Sequence, residues 1–371
     1  MRTDLVRSME DVKSSVVVTG VAGNLGQRLL PLLANFNVIG IDLQPPRTDL
    51  ALSRFVQMDL GLEDSCRELL LLLRESRPVA VVHLAFVLDQ VRIGILDPER
   101  MWQINVAGSA RVMEAITEAN RDDFIVSKFI FPSSVAAYGP DLPTPVSEDA
   151  PLAAHTLPYA VHKMECDKVV QTRSPALRGC SVYMLRPHIF TGSSVENYMV
   201  GAFRGSPNGK GKRAAKMRDE GKRLPCMLPY GQKYLDNKIQ FVHVDDVARL
   251  IAFMLAKTEP ETQRLTILNV AGRGEALTFA RCIEMAQAKL IRVPGQWTFR
   301  SVLKFMWKSG ISAIPPEAAP YMTGEYTMDT SRLRKFLGSE YESVIRYTIG
   351  DAFADSFAQA LPARAQAAVT K

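Results

Sequence analysis

Cysteine is scarce in this 371-residue chain: there are five, an odd number, and no C-x-x-C pair. That excludes a disulfide framework and the paired-cysteine zinc and redox motifs. Reduced, mostly buried thiols are expected at Cys66, Cys166, Cys180, Cys226 and Cys282, and no metal. No apolar run approaches the ~18 residues a membrane helix needs, and the five leucines Leu69 to Leu73 read as a turn of buried helix. Residues 1–15 mix acids with bases and lack an apolar core, so they do not read as a signal peptide, and a cytoplasmic protein is expected. Internal repeats and low-complexity blocks are missing too. Charge of one sign is in small excess, with 45 Lys and Arg against 39 Asp and Glu, for a net +6. That suits an anionic small molecule, but it calls for neither nucleic acid nor a membrane.

Apolar runs alternate with helical periodicity in the first half. Strands are expected at Val16–Val18, Val38–Ile41, Arg54–Met58, Val79–Leu84, Phe129–Phe131 and Ser181–Leu185. Helices are expected over Leu25–Leu33, Glu63–Glu75, Pro98–Ala119 and Pro158–Thr172. Strands apolar on both faces and separated by helices predict an α/β fold, a doubly wound parallel sheet. After Arg186 the pattern breaks. Residues 204–223 hold eight cations (Arg204, Lys210, Lys212, Arg213, Lys216, Arg218, Lys222, Arg223) against two acids, with Gly205, Gly209 and Gly211 among them. This reads as a mobile basic loop. The α/β pattern returns at Gln240–Leu255 and Leu265–Val270. The expected organisation is a sheet domain over 14–186, completed by 240–272. A smaller, mixed C-terminal substrate-binding lobe would come from 187–239 and 273–350, and a C-terminal helix with a frayed tail from 351–371.

The turn after the first strand is Thr19-Gly20-Val21-Ala22-Gly23-Asn24-Leu25-Gly26. Glycines there allow a tight turn, close approach of backbone to a pyrophosphate and packing of helix on strand. The spacing is G-x-x-G-x-x-G, and such glycines also occur in plain turns. Asp42 ends the second strand 22 residues beyond Gly20, where a carboxylate can accept bonds from a ribose 2′-hydroxyl. It repels a 2′-phosphate, which favours NAD over NADP, with Arg47 close by as a counterweight.

Tyr159 and Lys163 lie four apart on a predicted helix and so share a face. An ammonium and an oxidised nicotinamide beside a phenol favour the phenolate. That phenolate can take a hydroxyl proton while hydride leaves the same carbon. Alone, Y-x-x-x-K also describes an ordinary surface pair. Ser134, however, follows a strand 25 residues earlier, at the sheet edge where ligands bind, and its hydroxyl can orient the reacting oxygen.

With these residues in place, the sequence resembles the extended short-chain dehydrogenase/reductase superfamily, the NAD-dependent epimerase/dehydratase group. The resemblance covers residues 14–272. It rests on Thr19 to Gly26, Asp42, Asp59-Leu60, His83-Leu84-Ala85, Asn105 with Gly108, Ser133 to Gly139, Tyr159 with Lys163, Leu185-Arg186-Pro187 and Phe241 to Ala248. It implies a Rossmann-type NAD-binding domain. It also implies that Asp59 and Leu60 flank the adenine, and that Leu84 and Ala85 line the cofactor backbone. Asn105 would support the active-site lysine, Lys163 would bond the nicotinamide ribose, and Pro187 and His188 would lie beside the nicotinamide. A homodimer through two helices is a further implication.

Departures from the family pattern bear on the reaction. Dehydratases of the group carry an Asp-Glu pair after the active-site Ser or Thr; here Val135 and Ala136 stand there. Many sugar-nucleotide epimerases carry an Asn where this chain has Ile189, and Arg-Asp where it has Ile239-Gln240. Two diphosphate contacts are therefore missing. Three readings follow. One is an epimerase acting on a nucleotide sugar or a similar hydroxylated small molecule. Another is an alcohol dehydrogenase or ketone reductase with a non-sugar substrate. The third is a nucleotide-binding sensor without turnover.

Overall fold

A strand covered on both faces needs apolar residues at every position. Ser15–Thr19 (β1) meets this with Val16, Val17 and Val18, none of which reaches solvent. In the computed structural model, which describes residues 13–46, 51–88, 97–121, 126–257 and 265–358, six more strands join it. They are Asn37–Asp42 (β2), Arg54–Gln57 (β3), Ala80–His83 (β4), Lys128–Pro132 (β5), Ser181–Pro187 (β6) and Leu265–Val270 (β7). All pair in parallel, in the order β7-β6-β5-β4-β1-β2-β3. The order reverses at β1, which lies between β2 and β4. A crevice therefore opens at the C-terminal ends of β1 and β4.

Alternate side chains feed two layers. Val16, Val18, Val82 and Leu185 pack with Val247, Leu250 and Met254 of the helix Val244–Ala256. Val17, Val81, Phe129 and Met184 pack with Leu69 and Leu73 of Ser65–Ser76 and with Val112 and Ile116 of Gly108–Ala119. A third cluster builds the smaller lobe around Met199, Phe203, Phe279, Phe299 and Phe353. In that lobe Cys226–Pro229 pairs with Leu290–Val293. Ile189–Thr191 pairs in parallel with Phe241–His243, so the chain between them leaves and returns beside itself.

Three expectations are corrected. The helix expected over Leu25–Leu33 is an α-helix only over Asn24–Leu29, followed by a 3₁₀ turn over Leu30–Leu33. Pro31 has no N–H to continue the α-helical ladder. The helix expected over Pro98–Ala119 is split: Pro98–Trp102 is α, Gln103–Ala107 is a π turn, and Gly108–Ala119 is α again. The basic stretch is not a loop. It ends one helix, Tyr198–Arg204, and contains another, Lys212–Asp219. Its glycines are packing sites rather than hinges: Gly209 N–H donates to Ile311 O at 3.1 Å, and Gly211 N–H to Gly310 O at 2.8 Å. Arg47 and the tail beyond Leu361 lie outside the described residues.

Candidate active site

Gly20 has φ +69°, and a Cβ there would lie 2.5 Å from the backbone nitrogen of Ala85. A Cβ on Gly26 would meet Val21 O at 2.5 Å, and one on Gly23 would meet Gly20 O at 3.1 Å. The turn is thus closed to side chains from the strand side. It is also tied to the end of β2: Gly20 N–H donates to Ile41 O at 2.7 Å, and Ala22 N–H to Asp42 Oδ2 at 2.9 Å. Asp42 Oδ1 accepts from Leu43 N–H at 2.7 Å. Asn24 opens the helix and reaches Ser194 O and Oγ at 3.1 Å each. Leu25 packs, half-buried, against the core beneath.

Leu84 and Ala85 follow β4 against this turn. Their N–H groups donate to Thr19 O at 3.0 Å and Thr19 Oγ1 at 3.2 Å. Below them runs a buried chain of bonds. Thr19 Oγ1 lies 2.7 Å from His83 Nδ1, and His83 Nε2 lies 3.0 Å from Ser109 Oγ. Ser109 Oγ donates to Asn105 O at 2.6 Å. With the Ser109 proton so committed, His83 donates from Nε2 and accepts at Nδ1. The ring is neutral: burial and the nearby Lys163 charge push its pKa down to about 3.

Asn105 lies on the π turn and is fully buried. Its side chain brackets Val87, accepting from the N–H at 2.7 Å and donating to the C=O at 3.0 Å, and it meets His162 Nδ1 at 3.3 Å. It therefore holds the segment that carries Phe86. That ring lies 3.7 Å from Lys163 Nζ and packs edge-on against Tyr159. Asp59 accepts from Gly61 N–H at 2.9 Å and is ion-paired with Arg100. Leu60 is buried beside them.

Tyr159 and Lys163 are carried one turn apart on Pro158–Arg173, which Pro158 starts where its missing N–H costs nothing. Ser134 caps the short turn Val135–Tyr138, accepting from Ala136 N–H at 3.1 Å. Nearby Ser134 draws the Tyr159 phenol pKa down, against a larger upward push from burial. The Lys163 ammonium donates to Pro132 O at 2.7 Å. Burial lowers its pKa to about 8, opposed by Cys166 and Asp167. Lys163 is thus turned to the strand end and the aromatic rings, and the perturbation of Tyr159 comes from burial and Ser134.

Pro187 ends β6, buried. His188 Nδ1 accepts from Ile189 N–H at 2.9 Å, so Nε2 carries the proton toward Tyr326 O at 3.2 Å. Burial holds this ring neutral, with a pKa of about 3. Val135 and Ala136 are buried in the turn after Ser134. Ile189 is part of a strand pair. Gln240 exchanges two bonds with the Met328 backbone, at 2.8 and 3.3 Å.

Sequence motifs contain Arg186, Ser133 and Tyr138 but do not show the network they form with Asp167, Glu148 and Asn269. Arg186 binds Asp167 through Nε and Nη2, at 2.8 and 2.9 Å, and its Nη1 donates to Tyr138 Oη at 2.7 Å and Glu148 O at 2.8 Å. Ser133 Oγ donates to Asp167 Oδ2 at 2.9 Å, and Tyr138 donates to Asn269 Oδ1 at 2.7 Å. The signal was an arginine inside an otherwise apolar strand, because a buried guanidinium demands a buried carboxylate.

A doubly wound sheet with a glycine turn at its switch point, and with Ser134, Tyr159 and Lys163 gathered at the neighbouring strand ends, defines a dinucleotide-type α/β protein. A sequence profile of the NAD dependent epimerase/dehydratase family matches residues 16–271, and the chain belongs to that family. It is 30% identical over 174 residues to a UDP-glucose 4-epimerase of Erwinia amylovora, covering 44% of this chain and 49% of that one. To the UDP-glucose 4-epimerase of Bacillus subtilis it is 28% identical over 182 residues, covering 46% and 51%. The matches thus span about half the length of these relatives. Among solved structures, the Thermus thermophilus UDP-glucose 4-epimerase in complex with NAD superposes with a TM-score of 0.62 at 21% identity, over 94% of this chain and 100% of the other. WbmH of Bordetella bronchiseptica, in complex with NAD⁺, gives 0.64 at 17%, over 93% and 97%.

Proposed function

We propose that this protein is an NAD-dependent epimerase acting on a nucleotide sugar, with Tyr159 as the proton-transferring group. The observation that carries this reading is the gathering of Ser134, just past one strand end, with Tyr159 and a buried Lys163 one turn apart on a helix, the Lys163 ammonium bonding that strand's Pro132 O. The residues present fit a dinucleotide: the backbone around Gly20 and Gly26 is packed too tightly for a Cβ, which keeps the turn narrow, and Asp42 ends the adjacent strand. Gly20, Gly23 and Gly26 would hold the pyrophosphate with Asn24 and Leu25 at the helix start, and Asp42 would hold the adenosine ribose. Asp59 and Leu60 would take the adenine. Leu84, Ala85 and Asn105 would line and brace the cofactor's path, and Lys163, Pro187 and His188 would surround the nicotinamide end. The cofactor supplies the hydride acceptor when bound.

Ser134 orients the substrate hydroxyl and Tyr159 takes its proton. In an epimerase the same Tyr159 would give that proton back to the oxygen as hydride returns to the opposite face of the carbon, which is what inverts it. The Lys163 ammonium, held on Pro132 O, would have to turn from that carbonyl to favour the phenolate. Val135 and Ala136 provide no acid or base to expel a hydroxyl, so dehydration through those positions is not part of the proposal.

A specific observation keeps a second reading alive. Ile189 and Gln240 are committed to the fold and offer a diphosphate nothing, as a reductase with a non-sugar substrate would allow. Assaying NAD released from denatured protein separates the two. Near-stoichiometric NAD, with interconversion of UDP-glucose and its C4 epimer, supports the epimerase. Little retained NAD, with turnover of added ketones and NADH, supports the reductase. Tyr159→Phe should lower turnover by about 10²-fold or more while NAD still binds; unchanged turnover removes Tyr159 from the mechanism.

A further inference from the structure

Net charge alone gives no reason to expect a membrane surface, but the distribution of side chains on the smaller lobe does. The helix Gly295–Lys308 buries Phe299 and Leu303, four residues apart, against the lobe core. Its opposite stripe carries Trp297, Arg300, Lys304 and Lys308, spaced to share one side of the helix. Phe305 and Trp307 flank that stripe. Trp297 is 82% exposed, Phe305 63% and Trp307 40%. The helix contains no acidic residue.

Two exposed segments adjoin this helix. The strand just before the helix exposes Ile291, and Tyr230, whose N–H donates to Val293 O at 2.8 Å, is exposed beside it. At the other end, the backbone bonds of Gly209 and Gly211 to Ile311 and Gly310 anchor the basic stretch next to the helix terminus. Of its eight cations, Arg204 and Arg218 are held on backbone carbonyls and Lys216 and Lys222 pair with Glu220, which leaves Lys210, Lys212, Arg213 and Arg223 to face outward. Exposed aromatics interleaved with cations on one amphipathic helix are the composition of an interfacial helix. Indole and phenyl groups settle at the boundary between headgroup and acyl chain, while Lys and Arg reach the phosphates. Ile291 argues for lipid over nucleic acid, because an aliphatic side chain gains nothing by stacking on a base. Among the described residues no helix is long and apolar enough to cross a membrane.

We propose that this face docks the protein on an anionic lipid bilayer, with the aromatics of Gly295–Lys308 entering the headgroup boundary and the surrounding cations meeting lipid phosphates. The test is co-sedimentation of the full chain with vesicles of phosphatidylcholine alone and of phosphatidylcholine mixed with phosphatidylglycerol, at low and high salt. Sedimentation with the anionic vesicles only, weakened by salt, is expected. Trp297→Ser with Phe305→Ser should cut that partition about tenfold or more, and Lys304→Glu with Lys308→Glu should do the same. Both pairs are exposed, so folding and turnover should stay at the wild-type level. Four results would overturn the proposal. One is no binding to anionic vesicles. A second is binding untouched by the aromatic pair, which would be unspecific adhesion of a basic protein. A third is self-association without lipid that the aromatic pair abolishes, which would give the face to a second copy. The fourth is tighter binding to a single-stranded oligonucleotide than to the vesicles.

Discussion

Arg186 holds both carboxylate oxygens of Asp167, one through Nε and one through Nη2, with neither side chain open to solvent. Asp167 lies one turn beyond Lys163 on the helix, and Arg186 lies on the strand that ends at Pro187. The pair therefore fixes the distance between the helix carrying Tyr159 and the sheet edge carrying Ser134. Removing one partner strands a buried charge, which costs about 3–5 kcal/mol. Asp167→Ala should lose that much in urea unfolding, whereas Arg186→Met with Asp167→Leu should recover most of it. A loss below about 1 kcal/mol for the single change would show that the pair does not set the framework.

Gly20→Ala and Gly221→Ala form a controlled comparison. The two glycines have nearly the same φ, +69° and +63°, but a Cβ on Gly221 meets nothing within 4 Å. Both changes carry the cost of left-handed backbone, about 1–2 kcal/mol. Only Gly20→Ala also drives a methyl into the Ala85 backbone. It should lose more in thermal stability and weaken NAD in a titration, while Gly221→Ala binds NAD like the wild type.

Lys163 makes stability depend on alkaline pH. Its pKa falls from an unfolded 10.5 to about 8 in the fold. Between those values the unfolded chain holds a proton that the native one has released, so stability rises with pH across that window. Lys163→Met should flatten the rise. An unfolding free energy that falls from pH 8 to 10 by the same amount in both proteins would contradict the burial of this ammonium.

His83 and His188 give the opposite edge. Both are neutral in the fold, with pKa values of about 3 against 6.5 unfolded. The unfolded chain binds more protons between those values, so stability drops as pH falls below about 6.5. His188→Gln should reduce the steepness of that acid limb in melting temperature against pH. Equal slopes would mean that His188 titrates normally in the native state.

Much of the sheet was legible because its signal is local. Val16 to Val18, Phe129 to Phe131 and Val182 to Leu185 are apolar runs that only a doubly covered strand tolerates. The glycine turn and the spacing of Tyr159 from Lys163 are local too. The π turn at Gln103–Ala107 was not legible, because nothing in the helical periodicity marks one extra residue per turn. The helix Lys212–Asp219 was hidden by its charges, which read as solvation, while the contacts that order it come from Gly310 and Ile311 a hundred residues on. The bracing of Arg186 by Asp167, Tyr138 and Glu148 joins three separate elements, and sequence spacing carries no record of such meetings. The direction of Lys163, toward Pro132 rather than the phenol, is a rotamer decided by packing against Phe86 and Phe131.

The pairing of Ile189–Thr191 with Phe241–His243 clamps the two ends of residues 192–240 together at the rim of the sheet. A segment closed at its base in this way can be lengthened, shortened or replaced at a cost that grows only slowly with its length. The glycine turn would register such an exchange at Ser194, which Asn24 and Arg28 hold. Because the excursion also pairs Cys226–Pro229 with Leu290–Val293 and shares a core with Phe279, Phe299 and Phe353, any such change has to be matched in those later residues, while Ser134, Tyr159 and Lys163 stay where the sheet puts them.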